Sequence, residues 1–288
     1  LIAKVKILKR SCIFVPMIVF PNAKINLGLK ILGKRNDGFH ALETLMIPIP
    51  LYDVLEVTDH PHFEYDASGL CLPSNEGPTL CEKAYALLKQ FHHIGPVRIH
   101  LRKQIPIGAG LGGGSSDAAF TLMALNQWFD LGCSKAELET YAATLGSDCP
   151  FFIRNEPALA SGRGEVLEGI ALDLKGVFLA LYNPEIHMST SDAYASLDSS
   201  TFGKPLSLDR LTEKKYWQED LVNDFELPAV TKHLAIKEGI KALKEAGAFY
   251  AALSGSGSSF FGLFFDPNSL LKVPDKHLIY KGVIDITG

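Results

Sequence analysis

The spacing of hydrophobic residues changes several times along the chain, and each change marks an element. Residues 17–31 are rich in Ile, Val and Leu, and Asn36-Asp-Gly38 is a hairpin-turn signal, so strands are expected on either side of it. Short extended pieces follow at 41–47, 51–58 and 62–66. Leu80, Ala84, Leu87, Leu88 and Phe91 then fall at helical spacing and predict a helix over 78–92. Val97, Ile99 and Leu101 alternate with Arg98, His100 and Arg102, the pattern of a strand with one wet face. Helical spacing resumes from Ser115 to Trp128 through Ala119, Leu122, Met123 and Leu125. Ser134 and Glu137 form an S-x-x-E capping box for a helix over 135–145, which Gly146 closes. Two strands flank Gly162-Arg-Gly164, and a third follows at 177–183. Helices are expected over 216–226 and 229–245, then strands 248–253 and 260–265 around a Gly/Ser turn at 254–259. Antiparallel and mixed sheets with interspersed, packed helices predict an α+β fold in two lobes, residues 1–160 and 161–288.

Composition narrows the function without choosing one. With 288 residues, 47% hydrophobic and 21% charged, the chain is an ordinary globular one, neither disordered nor a membrane bundle. Lys plus Arg number 28 against 32 Asp plus Glu, with no long run of one sign, so nothing global invites nucleic acid. The apolar runs at 176–182 and 258–265 are far too short to span a bilayer, and no obligate protein partner is evident. Cys12, Cys71, Cys81, Cys133 and Cys149 include no C-x-x-C, which points to a reducing, cytoplasmic chain without disulfides or a zinc site. His60/His62 and His92/His93 have no thiol or carboxylate at metal-ligand spacing and read as solvated loop histidines. Lys4, Lys6, Lys9 and Arg10 before the apolar stretch 12–20 imitate a signal peptide. Pro16 interrupts that stretch and no small-x-small cleavage site precedes Pro21, so Met17 reads as the natural start and 1–16 as an extension.

The 25 glycines are unevenly spread: five fall between Gly108 and Gly114, between a strand and a helix N-terminus. Residues without a Cβ let backbone N–H groups close on a ligand, and the helix that follows adds unpaired N–H groups and the positive end of its dipole. Such a nest suits a polyphosphate. Gly108, Gly110 and Gly113 formally satisfy G-x-G-x-x-G, but the strand before them is amphipathic and no second strand carries a ribose-binding acid. A Walker A loop needs a Lys before Ser115 or Ser116, and none is present; HRD and DFG are absent too.

The run Pro106-Ile-Gly-Ala-Gly-Leu-Gly-Gly-Gly-Ser-Ser-Asp-Ala-Ala119 resembles the phosphate-binding motif of the GHMP small-molecule kinases. Its longer spelling, Gly-Gly-Gly-Ser-Ser-Asp, is similar to one branch, whose members phosphorylate the 2-hydroxyl of 4-diphosphocytidyl-2-C-methyl-D-erythritol in non-mevalonate isoprenoid biosynthesis. Pro21-Asn-Ala-Lys-Ile-Asn-Leu27, Arg35-Asn-Asp-Gly-Phe-His-Ala-Leu42, Gly146-Ser-Asp-Cys-Pro-Phe-Phe152 and Leu253-Ser-Gly-Ser-Gly-Ser-Ser-Phe260 resemble further motifs of that branch, in order. The resemblance spans about Pro21 to Phe265 and implies the two-lobe GHMP-kinase fold.

What it implies for chemistry is phosphoryl transfer from ATP with Mg²⁺ to a small-molecule acceptor, a reaction of positioning and charge neutralisation. By resemblance, Pro106, Ile107, Gly108, Ala109, Gly110, Leu111, Gly112, Gly113, Gly114, Ser115 and Ser116 cradle the ATP phosphates, and Lys24 and Asp148 are the catalytic pair. Taken alone, Asp148 also suits a turn or N-cap before Pro150 and Lys24 a solvated strand position. Asn26 alternates onto the strand face of Lys24 and either bonds the acceptor polyol or caps backbone. The resemblance places Phe39 and Tyr194 around the cytosine ring and His40 on its polar edge; packing roles are the alternative. Phe39 stands where the family more often has Tyr. Gly255 and Gly257 bring a second turn towards the acceptor's phosphates or simply close a hairpin, and Ser115 or Ser116 either coordinates Mg²⁺ or caps the helix. Other acceptors within the family, such as mevalonate, homoserine or a sugar, and a non-catalytic nucleotide-binding regulator of the same fold are the competing readings.

Overall fold

The computed structural model describes residues 15–71 and 77–284; the expected extension, apart from Val15 and Pro16, and Cys12 lie outside them. The chain runs through β1 (Met17–Val19), β2 (Asn22–Lys34), β3 (His40–Tyr52), β4 (Val54–Asp59), β5 (Glu64–Gly69), α1 (Leu80–Phe91), β6 (Val97–Lys103), α2 (Gly113–Trp128), α3 (Lys135–Leu145) and α4 (Cys149–Arg154). It continues through β7 (Ala158–Ser161), β8 (Val166–Gly169), β9 (Phe178–Tyr182), α5 (Thr190–Ala195), α6 (Trp217–Asp220), α7 (Glu226–Lys232), α8 (Leu234–Glu245), β10 (Tyr250–Leu253), β11 (Phe260–Phe264) and β12 (Leu278–Val283). Three four-stranded sheets result, with orders β1-β4-β6-β5, β2-β3-β7-β8 and β10-β11-β9-β12. Among the described strands only β5 and β6 pair in parallel, so the α+β fold is antiparallel and mixed, as the patterning predicts. The expected division at residue 160 falls within β7.

Several boundaries differ from the sequence expectation. The strand expected over 17–31 is split, with β1 ending at Val19 and β2 starting at Asn22 after Pro21. The pieces at 41–47 and 51–58 become the single strand β3, which carries Pro48 and Pro50, followed by β4. The sheet neighbour β7 reaches only Thr44–Met46, so beyond Met46 that edge of β3 has no partner strand and a residue without an N–H costs no ladder bond there. Helix α2 begins at Gly113, two residues before Ser115. The two helices expected over 216–226 and 229–245 become α6, α7 and α8, because Asn223 forms a β-bridge with Leu29 and His233 breaks into an extended conformation. Elements α4 and β12 carry no clear period and were not anticipated. The capping boxes of α1 (Thr79 with Glu82) and α3 (Ser134 with Glu137) form in full.

Three apolar clusters hold the layers together. One packs α1, α2 and α4 on the first sheet, where Val97, Ile99 and Leu101 of β6 are buried. A second lies between β2–β3 and β9–β11, and contains Ala23, Ile25, Leu27, Leu179, Leu181, Tyr250 and Phe261. The third packs α7 and α8 on the other face of that last sheet through Ile236, Ile240, Leu243 and Phe264. Ile105, Ala109 and Leu111 belong to the second cluster, so the glycine segment is anchored at the seam between layers. Since side chains alternate along a strand, committing Ala23, Ile25 and Leu27 to the core turns Lys24 and Asn26 to the opposite face.

Candidate active site

The residues between β6 and α2 alternate in role. Ala109 and Leu111 are buried in the core, whereas Gly108, Gly110 and Gly112 line a cavity of about 670 Å³. Gly110 has φ +78°, and a Cβ there would overlap the Ser254 carbonyl oxygen. Gly112 has φ +69°, and a Cβ would stand 2.8 Å from the Phe152 ring and 3.1 Å from Cε of Lys24. Glycine is therefore required by the left-handed backbone and by close approach together. Gly112 is also the N-cap of α2, which has no side-chain cap and no acidic residue in its first turn. That terminus is left to an anion. Pro106, Ile107, Gly113 and Gly114 frame the loop but do not line the cavity. Ser116 is fully buried with its Oγ unpartnered, while Ser115 is partly exposed and bonds the Cys149 thiol, whose pKa burial pushes up to about 12.

Lys24 crosses from β2 to the glycine loop. Its Nζ donates to Asn26 Oδ1 at 2.5 Å and to the Gly110 carbonyl at 3.1 Å, and lies 3.5 Å from Asp148 Oδ2. The lysine is 4% exposed, so the solvated-strand alternative does not hold. Asp148 occupies the N-cap position of α4, but its side chain makes no capping hydrogen bond and points into the cavity, 31% exposed. Asn26 is held at both ends, since its Nδ2 donates to Thr44 Oγ1 at 2.9 Å and Thr44 Oγ1 donates to the Gly28 carbonyl at 2.6 Å. Its amide thus aims Lys24, although the residue also lines the cavity.

Phe39, His40 and Tyr194 also line the cavity. His40 and Tyr194 stack on each other with centroids 4.6 Å apart and planes at 19°, and Phe225 meets Tyr194 edge-on at 5.0 Å. A base between His40 and Tyr194 would need about 7 Å, twice an ordinary carbon–carbon contact, so a ring ligand must lie beside that stack. Burial raises the pKa of Tyr194 above the ordinary phenol value. Phe39 is 53% exposed, with the Arg163 guanidinium 4.8 Å above its ring. Gly255 lines the cavity beside Asn26 and Gly110, whereas Gly257 sits against Met188 and Leu253 outside the lining. Asn223 holds this second turn, its Nδ2 donating to the Leu253 and Gly255 carbonyls at 2.9 and 2.8 Å.

Sequence reasoning missed Arg163, Thr44, Ser147 and Asn223, and also a buried charge group beneath the loop. Lys103 Nζ donates to Asp53 Oδ2 and, at 2.8 Å, to Asp117 Oδ2, and Asp53 Oδ1 accepts from the Ile105 backbone N–H at 2.8 Å. Burial, assisted by Asp53 and opposed by Lys103, pushes the Asp117 carboxyl up to about 7. A signal for Lys103 exists in the patterning, because it falls on the dry face of β6 with Val97, Ile99 and Leu101. The histidine expectation is corrected in two respects: Glu64 joins His60 and His62, their ligand atoms within 4.8 Å of one another, away from the cavity lining, and the half-buried His92 has its Nε2 3.4 Å from the Cys133 thiol sulfur and 3.2 Å from the Tyr141 hydroxyl.

The family described as GHMP kinases N terminal domain matches residues 79–156, and GHMP kinases C terminal matches residues 201–277. A protein of Azobacteroides pseudotrichonymphae genomovar. CFP2 called 4-diphosphocytidyl-2-C-methyl-D-erythritol kinase is 47% identical over 254 residues, covering 87% of this chain and 94% of the relative. A protein of the same name from Bacteroides thetaiotaomicron is 45% identical over 263 residues, covering 90% and 96%. A crystal structure of 4-(cytidine 5'-diphospho)-2C-methyl-D-erythritol kinase superposes with TM-score 0.74 at 35% identity, covering 88% of this chain and 92% of the other. Homoserine kinase from Cytophaga hutchinsonii shares the fold at TM-score 0.69 and 17% identity, covering 91% and 89%.

Proposed function

The chain belongs to the GHMP kinases, a family of small-molecule kinases, and from that premise we propose that it transfers the γ-phosphoryl group of Mg-ATP to the 2-hydroxyl of 4-diphosphocytidyl-2-C-methyl-D-erythritol. The observation that carries this reading is Lys24 Nζ bridging the Gly110 carbonyl of the loop and Asp148, in a cavity that Phe39, His40 and Tyr194 also line. The donor set fits a nucleotide. The uncapped N-terminus of α2 and the left-handed backbone at Gly108, Gly110 and Gly112, the last two with no room for a Cβ, suit a polyphosphate.

Each residue then has a defined task. The segment Pro106–Ser116 receives the ATP phosphates. Lys24, fixed by Asn26 and Thr44, neutralises charge on the transferring group and holds Asp148 in place. Asp148, uncapped and open to the cavity, accepts a hydrogen bond from the acceptor hydroxyl and holds it in line, taking its proton as transfer proceeds. Mg²⁺ supplies charge neutralisation on the phosphates when bound, and of the two hydroxyls Ser115 is the one that is not fully buried. Phe39, His40 and Tyr194 supply the base-binding wall, and Gly255 lets the second turn close on the acceptor side. Residues 1–160 would carry the nucleotide and residues 161–288 the acceptor side, in a cytoplasmic setting compatible with the unpaired thiols Cys71, Cys81, Cys133 and Cys149.

A coupled ADP-release assay tests the reading, with the cytidylated acceptor beside mevalonate, homoserine and galactose. Turnover restricted to the cytidylated acceptor is expected; turnover only with mevalonate would move the chain to another branch, and ATP binding without turnover of any acceptor would favour a regulator. Lys24→Ala and Asp148→Asn should each lower kcat by at least about a hundredfold, the range general acid–base catalysis covers, with melting temperature little changed in Asp148→Asn, whose carboxylate is partly exposed.

A further inference from the structure

We propose, resting on the kinase reading above, that Arg163 binds the diphosphate of the acceptor and so makes the site select a nucleoside diphosphate over a neutral polyol. Among the described residues lining the cavity, the only Lys or Arg side chains are Lys24 and Arg163. Lys24 is committed to Asn26, Gly110 and Asp148. The acceptor carries two negative charges between its base and its polyol, and Lys24 is taken up by the loop, Asp148 and the transferring group.

Arg163 is placed for that task. It sits in the tight turn between β7 and β8, where Gly164 N donates to the Ser161 carbonyl at 3.0 Å. That turn is tied to β3 because Leu42 N donates to the Gly162 carbonyl at 2.8 Å, two residues from His40. On one side of Arg163, its guanidinium lies over Phe39 on the base-binding wall. On the other, Gly164 abuts the catalytic carboxylate: a Cβ on it would be 3.6 Å from Asp148 Oδ1. The diphosphate of a ligand with its base on the aromatic wall and its hydroxyl at Asp148 must pass Arg163. The side chain is 31% exposed, and its one charge partner at bonding distance among the described residues, Glu165 Oε1, is 3.4 Å from Nε, a weak contact. A guanidinium offers five N–H donors in a planar fork, which pairs with phosphate oxygens two at a time. Binding therefore exchanges a long bond to Glu165 for short charge-assisted ones, with Phe39 guiding the side chain.

The test uses the full chain and two probes, CDP and cytidine, as competitive inhibitors against the cytidylated acceptor. Arg163→Met should weaken CDP about tenfold or more and cytidine less than about twofold, raise KM for the acceptor in step with CDP, and leave KM for ATP unchanged. Arg163→Lys, which keeps the charge and loses the fork, should fall between. Glu165→Gln, which frees the guanidinium, should bind CDP as well as or better than the unsubstituted protein. Equal weakening of CDP and cytidine in Arg163→Met, or a Glu165→Gln variant that reproduces it, would overturn the assignment and leave Arg163 a structural partner of Glu165. If the unsubstituted protein neither turns over the cytidylated acceptor nor binds CDP, the kinase reading itself fails and this one with it. Turnover with normal CDP binding in Arg163→Met sinks the arginine alone.

Discussion

Replacing Lys103 by Met probes what supports the glycine loop. Its ammonium is 2% exposed and faces two carboxylates, Asp53 and Asp117, that are 0% and 4% exposed. At 2.8 Å and an effective dielectric of about 20, the Asp117 contact alone is worth about 6 kcal/mol before desolvation. Desolvating the ions offsets most of that, so the intact group contributes little net stability, but removing one partner leaves buried charge uncompensated at a cost of about 3–5 kcal/mol. Unfolding entropy of about 2.1 cal/mol/K per residue gives about 0.6 kcal/mol/K for 288 residues, so the melting midpoint should fall by about 5–8 °C at pH 8. The loss depends on pH. Asp117 titrates near 7 folded and near 3.8 unfolded, so the folded chain holds a proton that the unfolded chain has released. That stabilising contribution is complete below about pH 4 and declines as pH rises to about 7. Without Lys103 the carboxyl is pushed higher still and is neutral at pH 5.5, where the deficit should shrink. Calorimetry at both pH values, with KM for ATP measured alongside, decides the matter. A variant melting within about 2 °C of the parent at pH 8, or a deficit that grows towards acid, would refute the reasoning. Because Gly113 packs against the Lys103 ammonium, KM for ATP should rise as well.

Gly110→Ala places a methyl on the Ser254 carbonyl at a left-handed φ and should raise KM for ATP and cost about 1–3 kcal/mol in urea unfolding; unchanged KM would remove the loop from the nucleotide site. Asn223→Ala strips the buried donor from two carbonyls of the second turn, so stability should fall by about 2–3 kcal/mol and acceptor KM should rise, both visible in melts and steady-state assays. Ser134→Ala breaks the α3 capping box on the surface; about 1 kcal/mol of stability should go with no change in either KM, a contrast that separates folding effects from site effects.

Much of the secondary structure was readable because local periods and caps act within a few residues. The Ser134 box, the Asn36–Gly38 turn and the alternation of β6 all formed as written. The missed pieces lack a period: α4 is six residues of Cys-Pro-Phe-Phe-Ile-Arg, five of them buried, so no wet face exists to set a helical pattern. The broken helices near 223–233 kept a helical pattern, but pairing of Asn223 with Leu29 outweighed local preference. Within the site, glycine spacing marked the backbone that lines the cavity at Gly108, Gly110 and Gly112. It could not distinguish Gly255, which lines the cavity, from Gly257, which packs on Met188.

Residues that act through a distant partner were the least legible, and the reason is topological. Lys103 announces itself as an exception on a dry strand face, yet Asp53 lies fifty positions earlier and becomes its partner only because β4 pairs with β6. Arg163 reads as an ordinary turn residue until β7 pairs with β3, which brings the turn at 162–165 beside the turn at 36–39. Beside strands β2 and β3 and helix α5, five such connections line the cavity: the turns at 36–39 and 162–165, the glycine loop, the N-terminus of α4 and the turn at 254–257. Each could be recognised as a turn from its own residues. What makes them a site is the order of strands in two sheets, and that order rests on burying Ala23, Ile25 and Leu27 against β9–β11. Lys24 faces the cavity only because its neighbours on both sides are core, so, on the proposed role of Lys24, a polar substitution at Ile25 should damage turnover by misaiming it as well as by loosening the fold.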